Sequence, residues 1–71
     1  MYIHVKAAAG QKEEDVRRIS ADHYEIWVKE KARGNAANGR IVRILRGLYP
    51  GQTVRLINGH HSPSKLFAVG D

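Results

Sequence analysis

Residues 31–48, KARGNAANGRIVRILRGL, hold the sustained helical period of the chain, and that period limits what the rest can become. At about 100° per residue, Ala37, Ile41, Ile44, Leu45 and Leu48 fall on one side, with Val42 and Tyr49 at its margin. Arg40, Arg43 and Arg46 gather on the opposite side. A helix with one apolar side needs a second layer to bury it. Gly34 and Asn35 offer an irregular backbone and a capping oxygen at the start. Pro50-Gly51 stops the helix, the proline presetting one turn residue and the glycine free to take positive φ. Gly39 and Gly47 each cost about 1 kcal/mol of helix propensity against alanine, so either close packing demands them or tertiary contacts hold the helix.

The second layer is read from alternation. Tyr2-Ile3-His4-Val5-Lys6 predicts a half-buried strand with Ile3 and Val5 inward. A charged connector, Gln11-Lys12-Glu13-Glu14-Asp15, follows, and residues 16–20 suit a short irregular strand because Val16 and Ile19 miss a strict period of two. Residues 24–30 form the best strand pattern: Tyr24, Ile26 and Val28 on one face, Glu25, Trp27 and Lys29 on the other. Residues 53–57 and 66–69 supply two more, joined by a loop of about seven residues, long against the usual ~2–5 for a hairpin. Strands, then a helix, then strands imply a two-layer α+β domain over residues 1–71, with one main helix on one face of a small mixed or antiparallel sheet.

At 71 residues the chain is near the lower limit at which an apolar core suffices alone, and it has no cysteine for a disulfide or a thiolate metal site. No apolar run approaches the roughly 18 residues of a spanning helix. A cytoplasmic protein that does not engage membranes is the expectation. Twelve basic against seven acidic residues give a net charge of +5 and a pI near 10.0, a bias toward anions: nucleic acid, a phosphorylated ligand or an acidic protein. Plain solubility explains the same charge.

Two segments then stand out. The run Val28-Lys29-Glu30-Lys31-Ala32-Arg33-Gly34-Asn35-Ala36-Ala37-Asn38 resembles the strand-to-helix junction of the YggU-like family of small proteins, where a strand is followed by two prolines, two variable residues, glycine, a polar residue and Ala-Asn. Gly59-His60-His61-Ser62-Pro63-Ser64-Lys65 resembles that family's second signature: glycine, two residues, Ser-Arg, one residue, lysine. Ala37, Asn38, Gly59, Ser62 and Lys65 match. Lys31 and Ala32 replace the proline pair, Asn35 replaces glycine, and Pro63 replaces the arginine, which removes a fork-shaped anion donor. The resemblance covers essentially the whole chain. It implies a compact α/β fold and no particular biochemical activity.

The candidate site follows from the same two segments. A helix amino terminus presents N–H groups and partial positive charge. Facing loop 59–65, it would gather Asn35, Asn38, Gly59, Ser62 and Lys65, with Arg33 nearby, into an anion site. The competing reading is that Asn38 and Ser62 merely hydrogen-bond the loop onto the helix. Arg40, Arg43 and Arg46, supplemented by Lys31, Arg33 and Arg55, form a stripe that suits nucleic acid through counterion release, or a solvated helix face. Trp27, with His4, Lys29 and Arg55 on the open sheet face, offers a stacking platform or a protein–protein surface. No catalytic set is present: Ser62-Pro63-Ser64-Lys65 spells S-x-x-K without its partner motifs. No Asp or Glu stands at metal-site spacing from His60-His61, and no phosphate-loop or dinucleotide fingerprint occurs. No cofactor or metal is expected. The sequence thus favours a non-enzymatic anion-recognising module for RNA or other nucleic acid, and alternatively an adaptor domain that binds protein around Trp27.

Overall fold

The structure, a computed structural model, describes residues 1–70. Five strands, β1 (Tyr2–Ala8), β2 (Asp15–Ser20), β3 (His23–Trp27), β4 (Val54–Asn58) and β5 (Ser64–Val69), form one mixed sheet in the order β2-β3-β1-β5-β4. The helix α1 (Ala36–Leu48) covers one face, as a two-layer α+β arrangement requires. β1 runs parallel to β3 and antiparallel to β5, while β2–β3 and β4–β5 are antiparallel hairpins. A parallel pair needs a crossover of a dozen or more residues. Here that connection contains β2, which folds back onto the outer edge of β3. Among the described residues, no helix is long and apolar enough to cross a membrane.

The alternation reads out as packing. Ile3 and Val5, Tyr24 and Ile26, and Phe67 and Val69 point to the helix side, where Ala37, Ile41 and Leu45 meet them at an i, i+4 spacing. Leu48, expected on that side, is exposed. β3 stops at Trp27, earlier than the alternation suggested, yet Val28 stays buried because its N–H reaches Ala8 O (2.9 Å) as the chain leaves the sheet. Beneath the helix end, the Tyr24 and Tyr49 hydroxyls are 2.9 Å apart, with the rings edge to face.

The irregular backbone expected at the helix start is present: Gly34 (φ 55°) and Asn35 (φ 62°) are left-handed, which an α-helix cannot include, so the helix begins at Ala36. Of the two explanations for Gly39 and Gly47, tertiary contacts hold the helix, because among the described residues no atom outside it stands within 4 Å of a Cβ built at either. Two local expectations are corrected. Asn35 makes no side-chain cap; its Oδ1 instead accepts a bond from Asn38 Nδ2 (3.4 Å). Trp27 has neither His4 nor Arg55 as neighbour. His4 stacks on His23 (centroids 4.5 Å apart), Arg55 lies on β4 beyond β1 and β5, and Arg17 of β2 stands over the indole at 5.2 Å.

Candidate functional site

Because β5 begins at Ser64, the β4–β5 loop shrinks to residues 59–63 and the turn is tight. Gly59 (φ 84°) makes it possible, and Ser62 N–H closes it on Gly59 O (3.1 Å). The same start places Lys65 in the inward register with Phe67 and Val69, opposite Val5 of β1. An ammonium on the helix side of a sheet has to find a polar partner, and Lys65 Nζ reaches back to Gly59 O at 2.8 Å. Lys65 remains only 9% exposed.

The loop is fastened from both sides. Ala7 N–H donates to Pro63 O (2.7 Å), and Asn38 Nδ2 donates to His60 O (3.0 Å). Asn38 is buried on the first turn of α1, so the amide spends its donor on holding the loop against the helix. Ser62 Oγ accepts the Ser64 N–H (3.1 Å), an ordinary Ser turn. Helix start and loop therefore do meet. Between them lies a depression of about 470 Å³. Gly34, Asn35, Ala37 and Asn38 form the helix side, His60, His61, Ser62 and Pro63 the loop side, and Ala7, Ala9, Ala32 and Lys65 complete the lining. Two N–H groups of the first helical turn are already satisfied, Ala36 by Arg33 O (3.0 Å) and Ala37 by Lys31 O (3.3 Å).

The arginines are elsewhere. None of Arg33, Arg40, Arg43 and Arg46 lines the depression, and Gly59 backs it without lining it. About 160° of helix rotation separates Asn38 from Arg40, so a single surface cannot include both. Arg40 is bound through two bonds to Glu14, its Nη2 at 3.0 Å from Oε2, and holds the Glu14 carboxyl below its ordinary range. Arg33, Arg43 and Arg46 are exposed and make no ion pair among the described residues. Two surfaces result: a depression with one buried cation, Lys65, and a helix face on which Arg43 and Arg46 are unpaired among the described residues.

Ala7 and Ala9 lie beyond the alternating run Tyr2-Ile3-His4-Val5-Lys6 that predicts the first strand; β1 extends to Ala8, and both alanines join the lining. The inward position of Lys65 was legible in principle, since Lys65, Phe67 and Val69 keep a period of two.

Burial pushes the Lys65 ammonium below the ordinary lysine value of 10.5. The folded protein therefore binds this proton less well than the unfolded chain, and stability rises with pH between the depressed value and 10.5. Lys65→Met removes that gain. Its stability relative to wild type is expected to be most favourable near pH 7 and to decline toward pH 10.5, read from urea midpoints across that range. A difference independent of pH would show that burial does not penalise the charge.

No protein-family model matches the chain, and no solved structure matches it.

Proposed function

We propose that the protein is a non-enzymatic anion-recognising module whose polyanionic ligand is RNA or another nucleic acid. The observation that carries this reading is the outer face of α1, where Arg43 and Arg46 are exposed without an ion-pair partner among the described residues; Lys31 and Arg33, ahead of the helix, are likewise exposed. Cations so placed hold phosphates through counterion release, with orientation rather than sequence as the outcome. Membership of the YggU-like family belongs to the same proposal, supported by the two signature segments lining one depression.

Arg17 over Trp27 takes a ring face that a base would need, so stacking on the open sheet contributes little to this reading. The adaptor alternative would use the open sheet face around Trp27, on which the His4–His23 stack is also exposed.

Arg43→Glu/Arg46→Glu tests the polyanion reading. Binding to a random single-stranded oligonucleotide is expected to weaken at least about tenfold, and the slope of log affinity against log salt to flatten by about 1.4, the share of two phosphate contacts. Circular dichroism checks that the fold is intact. An unchanged slope would remove the arginine face from the ligand.

A further inference from the structure

We propose that the depression between the start of α1 and loop 59–63 binds a small organic carboxylate with an apolar body, and that Lys65 is its counter-ion. Buried charges in folded proteins are normally paired, because an isolated one is costly to desolvate. Lys65 is nine-tenths buried, yet among the described residues its side chain has one hydrogen-bond partner, the neutral carbonyl of Gly59 at 2.8 Å. Among the described residues it makes no ion pair, and no Asp or Glu lines the depression. The ammonium carries three N–H donors, so two remain for an incoming anion.

The rest of the lining selects what that anion is attached to. Ala7, Ala9, Ala37 and Pro63 give apolar walls without bulk, which leaves room for a short hydrocarbon body. A volume of about 470 Å³ suits a small ligand. A second donor is at hand: Ser62 Oγ accepts the Ser64 N–H, which leaves its own O–H proton free to donate. One ammonium and one hydroxyl match the two oxygens of a carboxylate. A phosphate would demand more. Asn38 is committed to His60 O and Asn35 Oδ1, and two helix N–H groups are committed to chain carbonyls. The depressed Lys65 pKa agrees with a cation that lacks its counter-charge.

This site is separate from the polyanion reading, since no helix-face arginine lines it. Amide chemical shifts would be followed during titration with cyclohexanecarboxylate, cyclohexanecarboxamide and inorganic phosphate at pH 7. Cyclohexanecarboxylate is expected to give saturable shifts at Ala37, Asn38 and Ser62. Its affinity should exceed that of the carboxamide and of phosphate by at least about tenfold. Lys65→Met should lose a comparable factor, Ser62→Ala a smaller one, and Arg43→Glu/Arg46→Glu none. Equal affinity for carboxylate and carboxamide in the wild type, tighter binding of phosphate, absence of saturation, or undiminished binding by folded Lys65→Met would each overturn the assignment. The wild-type comparison decides the matter even if Lys65→Met does not fold.

Discussion

Gly59→Ala is expected to remove most of the stability of this domain. A Cβ at position 59 would stand 2.2 Å from Ser64 O and 2.9 Å from the Lys65 Cα, both on the backbone of the strand that the turn feeds. Neither atom can move without opening the β4–β5 hairpin. The left-handed φ of 84° adds its own penalty, because a side chain there crowds the following carbonyl. Strain of ~1–3 kcal/mol and overpacking of similar size give about 3–5 kcal/mol together. A chain of 71 residues has roughly 4–10 kcal/mol in total. Gly51 provides an internal control. It also has positive φ (77°), but among the described residues a Cβ there meets nothing within 4 Å. Gly51→Ala should therefore cost only the strain, ~1–2 kcal/mol. Urea unfolding followed by circular dichroism measures both, and equal losses would mean that the short approach to Ser64 relaxes freely.

The second large effect is expected at Phe67, the largest fully buried side chain. It lies on β5 with Ile3 of β1 on one flank and Leu56 of β4 on the other, beneath the helix. Phe67→Ala deletes most of a ring from the middle of a small core and leaves a cavity that β1, β4 and α1 must share. Such changes cost about 3–5 kcal/mol, enough to leave a large unfolded fraction at 25 °C. Phe67→Leu keeps more of the volume and should cost under about 2 kcal/mol. Ile57→Ala, on an exposed side chain of β4, should cost under about 1 kcal/mol. Comparable losses at 57 and 67 would contradict the placement of the core.

The amphipathic stretches were readable because their periods survive into the fold. Ile3 and Val5, Tyr24 and Ile26, and Ala37, Ile41 and Leu45 all sit where the alternation or the 3.6-residue period puts them. Residues 34–35 and 59–65 were harder. Left-handed backbone keeps Asn35 outside the helix, which starts at Ala36, and a polar residue there looks like a cap whether or not its oxygen is used. From sequence alone Lys65 stays in the loop, whereas β5 begins at Ser64 and includes it. Once the strand reaches that far, the period of two shared with Phe67 and Val69 turns Lys65 inward, but where the strand begins depends on pairing with β1, which local sequence does not encode. The same holds for Arg17 over Trp27, which depends on β2 lying beside β3. That helix start and loop would adjoin was legible from the two segments together. That the arginines would turn away from them follows from helix rotation, and counting at 100° per residue already contains that result.

The middle of the sheet is made by β1 and β5, whose partners Ile3 and Phe67 are far apart along the chain. Hairpins such as β2–β3 can form early from neighbouring residues, but the central seam must wait until the long loop between β1 and β5 has closed. The entropy of that closure grows only slowly with length, whereas the delay it imposes on assembly is considerable. On a ribosome, the first strand would emerge with its parallel partner soon available and its antiparallel one absent until β5, from Ser64 onward, had also been made. For most of that interval one flank of β1 would stay open, and nascent chains would be vulnerable to pairing with each other along it.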